Sequence, residues 1–328
     1  MRKNIALLPI LATSLMSYAA MAQDEAAPPQ ESTAPAAPEA VPMEAPAPEV
    51  AFVPVAAPAA APEGYPDEYA LRPLTLSAMT FQGTLPIVLN LSKNAALKPV
   101  WIPLDLRFGV TNELEVFVSH NLASAFPSAA GGGLCIGGKD RGCDKFYNNV
   151  NLGGQFSFLK ASGVELSGLL GLDFRQISDP MLLAADVGIG FKYVAAPVSV
   201  KIAPQIGILL THRSGTTNTT TSISGNTTTT DTTTFIPNKE LIAVPLQVAI
   251  QAAPQAAFFL DAGFFTWSND VSKKYIVPVG IGGDFLVMHG LDVGFEFMMP
   301  MVGRGSAYSG VGAADERRFM LFTSWRSQ

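Results

Sequence analysis

Over 328 residues the chain carries 48% hydrophobic and only 15% charged side chains, a balance too poor in charge for an ordinary soluble enzyme of this size. A formal charge of -6, with no basic stripe anywhere, excludes nucleic acid as a partner. Past residue 22 no run reaches the ~18 uninterrupted apolar residues that a spanning helix needs, which excludes a helical membrane protein.

The first element is a signal peptide over residues 1–22. Arg2 and Lys3 precede an apolar run from Ile5 to about Met16, and Ala20-Met21-Ala22 supplies the small-x-small pattern for cleavage after Ala22. Residues 23–70 follow, dominated by Ala, Pro and Glu. Such a segment cannot offset its own ordering entropy and is expected to be a disordered periplasmic linker. At ~3.1 Å per residue in a polyproline-like conformation it spans on the order of 100 Å. It carries no wall-binding motif and reads as a spacer, with peptidoglycan a partner within its reach.

From residue 71 to 328 the pattern changes to segments of ten or so residues in which polar and apolar side chains alternate, the period of a strand with two unlike faces. In 164–175, Val164, Leu166, Leu170, Leu172 and Phe174 share one parity, and Glu165, Asp173 and Arg175 share the other. Asp186, Gly188, Gly190 and Lys192 likewise oppose Val187, Ile189, Phe191 and Tyr193. About twelve such segments occur, near 73–90, 99–110, 113–121, 147–159, 163–175, 181–193, 197–211, 239–251, 256–267, 274–287, 291–300 and 317–326.

Their connections alternate in length. Short turns lie at Thr111-Asn112, Lys160-Ala161-Ser162, Ala195-Ala196, Ala253-Pro254-Gln255 and His289-Gly290, and between them fall long loops near 122–146, 212–238, 269–273 and 303–316. This is the asymmetry of an up-and-down barrel with periplasmic turns and extracellular loops, so both ends of the barrel domain belong in the periplasm. Aromatic girdles are expected at Trp101, Tyr147, Trp267 and Tyr275 on the long-loop side, and at Phe158, Tyr193 and Trp325 on the short-turn side.

In the last segment Phe319, Leu321, Thr323 and Trp325 alternate, as in the terminal strand of outer-membrane β-barrel proteins, although this chain ends Arg326-Ser327-Gln328 rather than on an aromatic residue. The whole of 71–328 resembles that class in general architecture, porin-like but matched to no subfamily. The resemblance implies residence in outer-membrane lipid and assembly by the barrel-insertion machinery, and it brings no binding residues with it. The fold class is therefore all-β, a transmembrane antiparallel barrel of about twelve strands.

A charge facing lipid costs roughly 2–4 kcal/mol near the midplane, so the charged parity belongs inside. The expected lumen-lining set is Asp105, Arg107, Glu115, Glu165, Asp173, Arg175, Asp186, Lys192, Lys201, Asp261, Asp284, Asp292 and Glu296. Acids outnumber bases in it, which in an open lumen gives a mild cation preference. The glycines of Gly188-Ile189-Gly190 and Gly280-Ile281-Gly282-Gly283 lack the strand-to-helix context of a phosphate loop and are read as making room in a narrow lumen.

Cys135 and Cys143 lack metal or redox spacing and are expected to close a loop as a disulfide. No metal or other cofactor is called for. Asn218-Thr219-Thr220 and Asn226-Thr227-Thr228 match glycosylation sequons, but the Thr-rich run is read as a flexible hydrophilic surface loop.

Three functional readings follow. The first is a passive pore for small polar solutes or ions, motivated by the charged interior and the lack of a catalytic set. The second is a non-conducting structural or surface-binding barrel whose inward charges pair with one another. The third is a lipid hydrolase at the rim, resting on Ser119-His120-Asn121, although residues adjacent on one strand cannot supply base and orienter to each other.

Overall fold

The computed structural model describes residues 65–92, 96–120, 132–137, 143, 145–177, 181–213, 216–224, 227–235 and 240–327, with the backbone alone for 216–224 and 227–235. The expected signal peptide, residues 23–64 of the expected linker and Asn121 lie outside the described residues.

Twelve strands follow one another around a closed barrel. β1 is Phe81–Asn90, β2 is Val100–Ile102 continued by Asp105–Gly109, β3 is Leu114–Ser119 and β4 is Val150–Ala161. β5 is Val164–Gln176, β6 is Leu182–Ala195, β7 is Val198–Ile202 continued by Gln205–Leu209, and β8 is Glu240–Ala253. β9 is Ala256–Trp267, β10 is Tyr275–Met288, β11 is Leu291–Arg304 and β12 is Arg318–Arg326. Each pairs antiparallel with its neighbours in sequence, and β12 returns to pair with β1 from Gln82↔Arg326 to Asn90↔Arg318. Closure leaves no free edge, which is the condition for strands to cross a bilayer.

The breaks in β2 and β7 fall at Pro103 and Pro204, where the ladder loses a donor. A bulge in β4 between Ser157 and Leu159 shifts the register so that Lys160 stands opposite Glu165, itself opposite Lys192 of β6.

The two faces separate as the alternation requires. Leu170, Val187, Ile189, Phe258, Leu260, Ile281 and Leu321 point outward and are exposed, forming an apolar belt, while Asp186, Asp261 and Asp284 on the same strands as members of that belt are buried inside. Gly282 and Gly294 take their inward positions because no side chain fits. A Cβ on Gly282 would lie 2.3 Å from the Phe259 ring, and one on Gly294 would lie 2.1 Å from the Phe322 ring.

The short-turn girdle is present, with Phe158, Tyr193 and Trp325 all exposed. On the long-loop side Tyr275 stacks on outward Phe264, but the two tryptophans correct the expectation. Trp101 is buried with Val88 and Met320 under the Cys135–Cys143 disulfide. Trp267 faces Leu241 and lies beneath the Arg175 guanidinium, 5.3 Å from the ring centroid. A charged neighbour inside the barrel outweighs the interfacial preference of each ring, since Arg318 also stacks on Trp101.

Two loops carry strands of their own. Gly133–Ile136 pairs with Val100–Ile102 and lays Cys135 beside Trp101. In the Thr-rich loop, read above as flexible, Thr216–Ser224 and Thr227–Phe235 pair as an antiparallel hairpin, consistent with the strand preference of β-branched threonine.

Candidate functional site: the barrel lumen

The lumen is not left to the barrel's own side chains. Residues 65–76 run through it at the short-turn end, with 65–70 drawn from the expected linker and 73–76 from the start of the expected first strand; the path bends at 67–68 and 74–75 and makes one tight turn at Tyr69–Leu71. Pro66 and Pro73 favour extension in the residues before them.

The contacts run from β3 round to β12. Tyr69 stacks on Phe259 with centroids 5.6 Å apart and donates its hydroxyl to Gln247 Oε1 at 3.2 Å. The Ala70 N–H donates to Gln251 Oε1 at 3.0 Å, and Ala70 is wholly buried. The Leu74 N–H donates to Glu165 Oε2 at 2.6 Å and the Leu76 N–H to Glu115 Oε2 at 2.9 Å. Lys192 Nζ donates to the Arg72 carbonyl, and Lys160 Nζ to Thr75 Oγ1 at 3.1 Å.

Arg72 is the electrostatic anchor. Its Nη2 lies 2.9 Å from Asp292 Oδ1 and 3.9 Å from Asp284 Oδ1, and the guanidinium sits 5.4 Å from the Tyr69 ring centroid. Arg326 of the last strand holds the other Asp292 oxygen, so one fully buried carboxylate is shared by two guanidinium groups.

At the mouth, His289 Nδ1 lies 2.5 Å from Asp67 Oδ2, the Gly290 N–H donates to Asp67 Oδ1 at 3.3 Å, and Arg326 Nη2 lies 3.4 Å from Oδ1. Partial burial pushes the Asp67 carboxyl up. The hydrogen bonds from His289 and Gly290, with the charges of His289 and Arg326, outweigh it and hold the group below the usual carboxylate range.

Above the segment lies a cavity of about 330 Å³. Five carboxylates line it, Asp105, Glu115, Asp261, Asp284 and Glu296, with four cations, Arg72, Arg107, Lys192 and Lys201. Arg107 bridges Asp105 at 2.8 Å and Glu115 at 3.0 Å, and Gln247 donates to Asp261 at 2.9 Å. Lys201 is exposed to the cavity, where Arg107, Glu115, Asp261 and Asp105 are the charges around it.

Nearer the long loops, Asp173 pairs with Arg175 at 3.4 Å, Asn151 donates to Asp186 at 2.7 Å, and Arg175 Nη2 donates to the Gly207 carbonyl at 2.9 Å. The expected charged set is thus divided into three groups: one on the segment (Glu165, Lys192, Asp292), one on the cavity (Asp105, Arg107, Glu115, Lys201, Asp261, Asp284, Glu296) and one towards the long loops (Asp173, Arg175, Asp186). Glu115 and Asp284 also touch the segment.

Sequence reasoning passed over Arg326, Gln247 and Gln251, although inward parity in β12 and β8 marks all three. Nothing in the Ala/Pro-rich stretch or just after it marks Tyr69 and Arg72 as lumen residues.

The rim candidates do not assemble. His120 is buried, with Nδ1 2.5 Å from the Leu104 carbonyl and Nε2 2.6 Å from the Tyr147 hydroxyl. Nδ1–H therefore donates to the carbonyl and Nε2 accepts from tyrosine, which leaves no ring nitrogen to take a proton from Ser119.

No protein-family model matches the chain, and no curated protein matches it. Among solved structures it is similar to the NanC porin, with a TM-score of 0.47 and 8% identity over 74% of this chain and 98% of that one. It is also similar to an outer membrane channel from Pseudomonas putida F1, with a TM-score of 0.46 and 10% identity over 81% of this chain and 100% of that one. The KdgM porin gives 0.44 and 6% over 74% and 98%. At these scores nothing about solute or selectivity transfers. The chain's own closed, lipid-belted, twelve-stranded geometry makes it a β-barrel of the outer-membrane type.

Proposed function

We propose that the protein is a passive channel of the bacterial outer membrane for small polar solutes or ions, held narrow at rest by residues 65–76. The observation that carries this reading is the charged cavity of about 330 Å³ at the centre of the barrel. A barrel serving only as an envelope scaffold has no need of a wetted interior of both signs. Five carboxylates against four cations favour a mild cation preference, because excess negative charge raises the local cation concentration.

The apolar belt fits outer-membrane lipid, and an Ala/Pro-rich tail leading to the short-turn mouth fits a periplasmic position for both chain ends. The same tail keeps peptidoglycan within reach, and insertion would use the barrel-assembly machinery.

The test is single-channel recording of the purified mature chain in a planar bilayer under a salt gradient. Rare discrete openings with a reversal potential favouring cations are expected. A folded, inserted barrel that never opens, even when the segment is loosened by substitution, would replace this reading with the non-conducting structural barrel, which the many buried ion pairs of the lumen would then serve.

A further inference from the structure

We infer that the short-turn half of the lumen is a peptide-binding site that reads the main chain of a polypeptide, and that residues 65–76 are its occupant in cis. The ligand class is an oligopeptide that makes one tight turn, with an aromatic residue followed three positions later by a cationic one. The inference rests on the channel reading only in needing the lumen to be reachable from the short-turn end.

At the short-turn end a row of wall charges is directed at peptide groups rather than at one another. Cross-strand register sets Lys160, Glu165 and Lys192 side by side on β4, β5 and β6, a row ready to form ion pairs. Instead Glu165 accepts the Leu74 N–H, Lys192 donates to the Arg72 carbonyl, and Lys160 donates to Thr75 Oγ1 and to the Asn112 carbonyl. Gln251 and Glu115 take two more main-chain N–H groups, those of Ala70 and Leu76. The wall thus holds three donors and one acceptor of the backbone, and any residue except proline at the donor positions offers the same donors.

Side-chain selection falls at Tyr69 and Arg72, alongside the Asp67 carboxylate held at the mouth by His289 and Arg326. Phe259 receives the Tyr69 ring, and the Asp284–Asp292 pair receives Arg72. Main-chain bonds supplying affinity while a few pockets supply specificity is the general logic of extended-peptide recognition. A tethered segment competes at an effective concentration on the order of millimolar, so the site is masked in the resting chain.

The experiment uses the full mature chain in detergent, with the segment retained but weakened by Tyr69→Ala and Arg72→Ala. A fluorescein-labelled synthetic peptide of the sequence of residues 65–76 is titrated and its anisotropy followed. Saturable binding is expected, at least ~10-fold tighter than to the parent chain, whose own segment blocks the site. The same peptide N-methylated at the positions of Ala70, Leu74 and Leu76 is expected to bind ~100-fold more weakly, since three donors to buried Glu115 and half-buried Gln251 and Glu165 are lost.

Equal binding of the N-methylated peptide, equal binding of a scrambled peptide, or no saturable binding to the loosened chain would overturn the proposal. If the double variant does not fold, Ala70→Pro, which deletes one N–H outside the barrel strands, takes its place. Conductance recorded on the same preparation separates the two readings: peptide binding without conductance removes the channel and keeps the site, and conductance without peptide binding does the reverse.

Discussion

Arg72→Ala is the substitution that most directly tests whether residues 65–76 gate the lumen. In the parent, a guanidinium with only 11% of its side chain exposed pairs with Asp292 at 2.9 Å and with Asp284 at 3.9 Å. Removing one member of a buried pair costs about 3–5 kcal/mol when the other charge is stranded. Here Asp292 keeps Arg326, and water enters as the segment leaves, so the loss is nearer 2–3 kcal/mol, with lost packing of the guanidinium on Tyr69 included. That shifts the docking equilibrium by about 30- to 150-fold towards release.

The assay is open probability in planar bilayers, paired with proteolysis of residues 65–76 in the detergent-solubilised barrel. Both should rise together, while the heat-modifiable migration of the folded barrel on gels stays as in the parent. An open probability and a cleavage rate within threefold of the parent, in a barrel shown to be folded, would refute the account of Arg72 as the anchor.

Three further outcomes follow from the same geometry. Asp67 titrates below the ordinary carboxyl value of 3.8, so its stabilisation of the docked segment is complete above that value and lost as pH falls through the lowered one. Openings should therefore not increase between pH 8 and 5 and should increase below about 4, a rise that Asp67→Asn abolishes. Gly282→Ala puts a methyl group 2.3 Å from the Phe259 ring and should weaken Tyr69 docking by about 1–3 kcal/mol, read as higher open probability, whereas Gly168→Ala, with nothing within 4 Å, should match the parent. Lys201→Glu takes the cavity from one excess negative charge to three and should move the reversal potential further towards cations.

The barrel was legible because lipid imposes a severe rule on sequence. No charge is tolerated outward near the midplane, so every charged residue of a strand reports the inward parity, and Asp186 and Lys192 on β6 or Asp292 and Glu296 on β11 align the whole wall. The alternation of short turns with long loops then orders the strands. Trp101 and Trp267 were misplaced because aromatic rings satisfy two environments, a membrane interface or a guanidinium inside the barrel, and only the spatial neighbours Arg318 and Arg175 decide between them. The hairpin in the Thr-rich loop escaped because a polar run without apolar alternation has no period to read.

The lumen shows why parity alone could not say whether the inward charges meet water or partners. Glu165 and Lys192 are ladder neighbours, yet each is engaged by a main-chain group of Leu74 or Arg72, just past the end of the expected linker. A segment of Ala, Pro and Glu cannot fold on a core of its own. Inside a barrel it does not have to, because the barrel supplies the core: Phe259 for a ring, Asp284 and Asp292 for a guanidinium, Gln251, Glu165 and Glu115 for backbone donors. The ordering entropy of these dozen residues is offset by contacts on a neighbour more than a hundred positions away in most cases. Binding of that kind is a balance between two large terms, and therefore one that a single lost anchor can reverse.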